Sequence, residues 1–257
     1  MELELGNRHA VVTGASRGIG LAIVRALLRE GVSVIGVARK STPETAAVQD
    51  EGDFRLLEAD LGGSDGIIAV ATQIPGPVDI LINNVGSAPP RPGGFASITD
   101  EQWSSTYQLN ALAAVRITRA LFDRIPDGGA IVNIASENAI LADPLVMDYS
   151  AAKAALLSFT KSLSKEVGHR GIRVNSISPG PVATDLWLGD GGVARTVAAA
   201  TGGDPAQVRR GAEESMVTGR FTTPEEVAAL AVMLASPVLG NLTGADVVID
   251  GGLRPTM

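Results

Sequence analysis

Short, nearly unbroken apolar runs recur along this chain, each separated from the next by a longer stretch with apolar residues at helical spacing. The runs are His9–Thr13, Val32–Ala38, Phe54–Leu57, Val78–Ile82, Ala130–Ala135, Ile172–Ile177 and Ala245–Ile249. A strand rich in Val, Ile, Leu and Ala, with little polar alternation, must be covered on both faces. That is the condition of a parallel sheet held between helices. The helical patterns lie near 18–30, 64–73, 101–124, 149–168 and 223–235. Strand and helix in alternation build βαβ units, so a doubly wound α/β sheet is predicted. With 257 residues, no internal repeat and no charge block, one domain spanning 1–257 is expected.

Three stretches interrupt the rhythm: a Pro- and Gly-rich one at 86–98, then 136–148 and 179–222. Each starts where a strand ends, at the edge where open α/β sheets place their ligands, and all three are expected to be substrate loops. Gly189-Asp190-Gly191-Gly192-Val193 is a candidate hinge within the last.

Composition removes several chemistries. The chain has no Cys and only two His, His9 and His169. A disulfide scaffold, a cysteine nucleophile, a thiolate or histidine metal site and a Ser-His-Asp triad are therefore not expected. A net charge of -7 argues against nucleic acid as a partner. No apolar run approaches the length of a membrane span, and Met-Glu-Leu-Glu-Leu at the start lacks the regions of a signal peptide. A cytoplasmic protein without a membrane partner is expected.

The first strand runs directly into Thr13-Gly14-Ala15-Ser16-Arg17-Gly18-Ile19-Gly20, and a helical pattern follows at once. Glycines there permit a tight turn and close approach of backbone to a pyrophosphate seated at the helix N-terminus. The spacing is Gly-x3-Gly-x-Gly, not the general dinucleotide fingerprint, but its place between strand and helix favours a nucleotide. Gly14, Ser16, Arg17, Gly18, Ile19 and Gly20 are the candidate phosphate contacts. The second strand ends in Arg39-Lys40, where an NAD site usually places an acid on the ribose 2′-hydroxyl. Arg17, Arg39 and Lys40 together suit a 2′-phosphate, which predicts NADP(H) over NAD(H). Asp60-Leu61, closing the third strand, is expected to flank the adenine.

Beyond the glycine turn come Asn83-Asn84-Val85-Gly86, then Asn110, Ser136, Tyr149-x3-Lys153 and Pro179-Gly180-Pro181-Val182-Ala183-Thr184. In this order and spacing the motifs resemble the classical short-chain dehydrogenase/reductase family over essentially the whole chain. The resemblance implies a Rossmann-like seven-stranded parallel sheet, a nicotinamide cofactor, and a homotetramer or homodimer built on the helices at 101–124 and 149–168. It is similar to 3-oxoacyl-carrier-protein reductases and secondary-alcohol dehydrogenases alike, so it does not name a substrate. Val85 departs from the alanine usual there, which implies a slightly altered pocket near the cofactor.

Tyr149 and Lys153 stand four apart at the start of a helical pattern and so share a face. A phenol titrates near pH 10, and an adjacent ammonium favours phenolate, moving Tyr149 toward use as a general acid/base. Of the two tyrosines, Tyr107 has Ala111 where such a lysine would stand. Ser136, directly after a strand, is placed to donate to a carbonyl oxygen as charge develops. Asn110 lies in an otherwise apolar helical pattern and needs a buried partner. The resemblance implies that its backbone holds a water linking Lys153 to solvent. Asn84 and Gly86 are expected at the ribose, with Asn83 holding neighbouring loops. Pro179, Gly180 and Val182 are expected beside the nicotinamide carboxamide, and Thr184 near a phosphate or the amide.

These readings lead to an NADP(H)-dependent oxidoreductase that interconverts a ketone and a secondary alcohol, with a small carbonyl or alcohol compound as its partner. The apolar residues of 139–147 and Leu186-Trp187-Leu188 favour a moderately hydrophobic one. The alternatives are an NAD-dependent alcohol dehydrogenase and a non-catalytic dinucleotide-binding regulator.

Overall fold

The computed structural model describes residues 2–255. Seven strands form one all-parallel sheet: β1 (His9–Thr13), β2 (Ser33–Ala38), β3 (Phe54–Glu58), β4 (Ile80–Asn83), β5 (Ala130–Ile134), β6 (Arg173–Pro179) and β7 (Asp246–Ile249). Their spatial order is β3-β2-β1-β4-β5-β6-β7. The sequence therefore winds outward from β1 in one direction, returns, and winds outward from β4 in the other. This is the doubly wound Rossmann-like sheet, in a single domain. Among the described residues, no helix is long and apolar enough to cross a membrane.

Alternation along β1 explains why the apolar runs are unbroken. Ala10 and Val12 face one helix layer while Val11 faces the other. On the first face lie α1 (Gly18–Arg29) and α10 (Pro224–Ala235), which bury Ile23, Val24 and Leu27 against Val227, Ala231 and Val232. On the opposite face, α3 (Ser64–Gln73), α5 (Ala113–Leu121) and α6 (Met147–Val167) bury Val70, Ile117, Leu121 and Val167 against Leu81, Ile131 and Val174. Each such side chain contributes roughly 1.5–3 kcal/mol. The entry to α10 is fixed by a capping box, Thr223 with Glu226, and by Pro224 at its first position. Its last turn is held by the buried Arg173, which donates to the carbonyls of Leu234 and Ala235.

The structure corrects two expectations about elements and adds one helix. The helix expected over 101–124 is α4 (Asp100–Tyr107), a π-helical turn at Gln108–Leu112 and then α5. A short helix, α2 (Pro43–Val48), follows β2 on a Thr42 capping box. The stretch 179–222 is not an open loop but carries α7 (Asp185–Leu188), α8 (Val193–Thr201) and α9 (Pro205–Ser215). Asp204 caps α9 with Pro205 at its first position, and the candidate hinge at 189–193 is a hydrogen-bonded turn between α7 and α8.

Candidate active site

A cleft of about 920 Å³ opens at the C-terminal ends of β1, β4, β5 and β6, where the sheet changes winding direction. Its floor is bolted by two residues. Thr13 Oγ1 accepts from the amides of Asn84 (2.9 Å) and Val85 (3.1 Å), while Asn84 Nδ2 donates to the carbonyl oxygens of Thr13 (2.9 Å) and Gly14 (3.2 Å). These bonds fix the glycine turn relative to the fourth strand. Gly14 sits at φ +67°, and a Cβ on Gly20 would overlap the Gly14 carbonyl, so the turn closes only with glycine at both. The helix that follows begins with no side-chain cap and no acid in its first turn. Its first amides therefore lack partners and point at the cleft as a place for an anion.

Of the sequence-expected cofactor contacts, Gly14, Ser16, Arg17, Gly18, Ile19, Gly20, Arg39, Asp60, Leu61, Asn84, Gly86, Pro179, Gly180, Val182 and Thr184 all line this cleft. Lys40 does not; it is exposed beside the lip. Of the expected trio of cations, Arg17 and Arg39 line the cleft and Lys40 stands outside its lining. Arg17 is exposed and lies 3.5 Å from Asp185 of α7, an ion pair of small energetic weight.

Ser136, Tyr149 and Lys153 meet on the cleft wall formed by the end of β5 and the first turns of α6. Lys153 is buried, donates to the Ile134 carbonyl (2.7 Å) and stands 5.7 Å from the centre of the Tyr149 ring. Burial pushes its ammonium down to about 8. For Tyr149, burial is the largest influence. Burial raises Tyr149 to about 12; the facing Ser136 hydroxyl favours phenolate and the charge of Glu137 opposes it. Desolvation of the phenolate outweighs the nearby donors.

Asn110 sits in the π-helical turn, does not line the cleft, and is buried. Its side chain is spent on two neighbours: Oδ1 accepts from the Ser87 amide (3.0 Å) and Nδ2 donates to the Ser87 carbonyl (2.9 Å) and to the Thr106 carbonyl (3.0 Å). It thus holds the chain just after Gly86. Asn83 is a second correction: it holds no loop, but donates to Thr118 Oγ1 (3.0 Å) and Asn133 Oδ1 (2.8 Å) between sheet and helices. Asn83 is the last residue of β4, and its side chain turns into the buried space shared with β5 and α5 rather than out to the loops.

Sequence reasoning missed Glu137. This residue directly follows Ser136, lines the cleft and is 7% exposed, yet its Oε2 has no hydrogen-bond partner. Burial raises its carboxyl to about 8, and Asp250 and Asp143 add to the rise against a smaller opposing effect of Arg254. The far wall comes from the helical insert, where Trp187 packs edge-on against Phe221 at 5.2 Å.

Residues 14–254 match a sequence family described as "Enoyl-(Acyl carrier protein) reductase". D-threitol dehydrogenase of Mycolicibacterium smegmatis is 35% identical over 98% of this chain and 94% of its own. A 3-oxoacyl-[acyl-carrier-protein] reductase of Vibrio harveyi is 30% identical over 98% and 99%. Among solved structures, L-sorbose reductase from Gluconobacter frateurii, complexed with NADPH and L-sorbose, superposes with a TM-score of 0.90 at 32% identity, covering 100% of both chains.

Proposed function

Because the chain belongs to the short-chain dehydrogenase/reductase family and is an oxidoreductase of that kind, we propose that it interconverts a secondary alcohol and its ketone with NADP(H). The observation that carries this reading is the meeting of Ser136, Tyr149 and Lys153 in the same cleft that the uncapped start of α1 faces. The residues present fit a dinucleotide phosphate. The glycine turn leaves room for its backbone, the α1 amides supply donors, and Arg17 and Arg39 supply positive charge without a competing acid at the end of β2. Gly86, Pro179, Gly180 and Val182 form the wall against which the nicotinamide end would lie. The cofactor, when bound, supplies or accepts the hydride.

In reduction, Tyr149 holds a proton that it delivers to the substrate oxygen. A phenol kept neutral by burial is in the right state to do so. Ser136 donates to the same oxygen and stabilises the charge that develops there. Lys153, anchored at the Ile134 carbonyl, keeps a cation beside the ring and favours the phenolate that is left. Asn110, through Ser87, positions the chain at Gly86, which lies beside Lys153, and its backbone is the proposed site for a water that returns the proton from solvent. In oxidation the same groups act in reverse, with Tyr149 as base.

The names of the threitol and sorbose relatives favour a small polyhydroxylated substrate over an acyl-carrier thioester. The test is an assay of NADPH and NADH oxidation against a panel of small ketones and keto-sugars, with tetritols and hexitols in the reverse direction. Turnover with NADPH preferred at least tenfold supports the reading. Cofactor binding without turnover of any carbonyl or alcohol would replace it with a non-catalytic dinucleotide-binding role.

A further inference from the structure

The helix that presents Tyr149 begins without a cap of its own. Val146, at its N-terminus, makes no side-chain hydrogen bond to the first turn, and Tyr149 is the third residue of that turn. An uncapped turn has unpartnered amides and frays unless tertiary contacts hold it. Here the hold falls on the fully buried Asp148. Three side-chain donors meet on its Oδ2: Arg91 Nε (3.1 Å), Arg91 Nη2 (2.6 Å) and Thr106 Oγ1 (2.8 Å). The same arginine ends a strap, Ser87-Ala88-Pro89-Pro90-Arg91, whose prolines stiffen the backbone. At the start of the strap, the Asn110 side chain binds both the amide and the carbonyl of Ser87, and it also donates to the carbonyl of Thr106. Ser87, Asn110, Thr106, Asp148 and Arg91 therefore make one circuit of hydrogen bonds that the strap closes. Gly86 adjoins it, and a Cβ there would lie 3.6 Å from Lys153 Nζ.

We propose that Arg91 is a positioning residue for the transfer step: through Asp148 it sets the first turn of α6, and with it the Tyr149 hydroxyl, at a fixed place relative to Gly86. The inference rests on the alcohol–ketone reading of the site. Arg91, Thr106 and Asp148 do not line the cleft, so they act on the reaction only through what they hold. Reduction adds a hydride at the carbonyl carbon and a proton at its oxygen. The proton comes from Tyr149 on α6, whereas Gly86, in the wall assigned to the nicotinamide, precedes the strap. The two supports must keep their spacing, because a misplacement of about 1 Å can cost about 10²-fold in rate. Two guanidinium nitrogens on one carboxylate fix direction as well as distance. Apolar packing would join the same elements without fixing that direction.

The experiment follows NADPH oxidation with acetone, acetoin, cyclohexanone, dihydroxyacetone and L-sorbose, and takes forward the ketone that wild type turns over fastest. Arg91→Lys keeps the charge but replaces the fork with a point donor. Arg91→Met/Asp148→Leu replaces the buried pair by apolar side chains and strands no charge. Each change is made in the wild-type and in the Tyr149→Phe background, with melting temperature and NADPH affinity recorded. Both variants are expected to stay folded and to bind NADPH nearly as wild type does. Their kcat should fall by about tenfold or more, with KM for the ketone changed far less. In the Tyr149→Phe background the same changes should cost little further, because the group they position is gone. Wild-type kcat in either folded variant overturns the proposal. So does a loss that multiplies undiminished onto that of Tyr149→Phe, the mark of general damage. Failure of both variants to fold assigns the pair to stability alone and overturns it too. Inactivity of wild type itself on every ketone is a different result: it overturns the alcohol–ketone reading on which the proposal stands.

Discussion

Arg91 grips Asp148, with Nη2 at 2.6 Å and Nε at 3.1 Å from the same carboxylate oxygen. Asp148 is fully buried and immediately precedes Tyr149, and Thr106 Oγ1 donates to the same oxygen at 2.8 Å. The Arg91 amide also donates to the Leu145 carbonyl at 2.7 Å. The stretch 86–98 is therefore tied to the start of the helix that presents the phenol.

Removing the cation should strand a buried carboxylate, a loss of about 3–5 kcal/mol for pairs of this kind. Arg91→Ala is expected to melt more than about 6 °C below wild type in a thermal denaturation scan at pH 7. Burial alone would raise Asp148, but the hydrogen bonds of Arg91 and Thr106 prevail and hold it below its usual value. A depressed carboxyl contributes stability above its unfolded value, and that stability is lost as pH falls. The gap between wild type and Arg91→Ala should accordingly narrow in acid.

Tyr149→Phe is expected to lower kcat by about 10²–10⁴-fold, the usual worth of a positioned acid/base, with cofactor affinity little changed. Steady-state assays paired with NADPH titration check both halves. Retention of wild-type turnover would remove Tyr149 from the mechanism.

Arg39→Ala should weaken NADPH by roughly tenfold or more, about 1.4 kcal/mol, and NADH far less. Lys40→Ala should leave both nearly unchanged, because Lys40 does not reach the cleft wall. Nicotinamide fluorescence titrations of the two variants side by side test this. Equal losses of NADPH in both would restore the wider cation cluster.

Glu137 makes a prediction with a definite sign. Its carboxyl is raised to about 8, so the folded protein holds a proton that the unfolded chain releases near pH 4.5. Stability from this group is present in full below 4.5 and is lost as pH climbs toward 8. Glu137→Gln should flatten the fall in melting temperature between pH 5 and 8 by several degrees, roughly 2–4 °C per kcal/mol. Ionised Glu137 also raises Tyr149. The rise of alcohol oxidation with pH should therefore begin at lower pH in Glu137→Gln, which a pH profile of kcat/KM would read directly.

The strands were legible because burial on both faces favours Val, Ile and Leu over polar alternation, as in Ile80-Leu81-Ile82; the polar residues that do occur, Asn133 and Arg173, are buried and hydrogen-bonded. The helices at 185–215 were hidden by glycine. Gly189, Gly191, Gly192, Gly202 and Gly203 break the chain into pieces too short for periodicity, and α9 buries no residue to mark its inner face. The π-helical turn around Asn110 leaves the apolar pattern of 101–124 intact, so nothing in that pattern announces it. Ser136, Tyr149 and Lys153 could be found because their types and spacing state a chemistry. Glu137 could not: an acid after a strand is ordinarily solvated, and only the approach of Gly180 and Asp250 from distant parts of the chain buries it.

The reversal of winding between β1 and β4 also divides the protein as a piece of inheritance. The wall with the glycine turn, Arg39 and Asp60 is encoded before residue 74, and the wall with Ser136, Tyr149 and the helical insert is encoded after residue 79. The side-chain bolt between the two walls at the cleft floor is Thr13 with Asn84. A genetic crossover within 74–79 would trade one wall for a relative's and keep the other. As long as a threonine and an asparagine meet at that seam and α1 still packs on α10, the hybrid inherits its phosphate grip from one parent and its choice of molecule from the other.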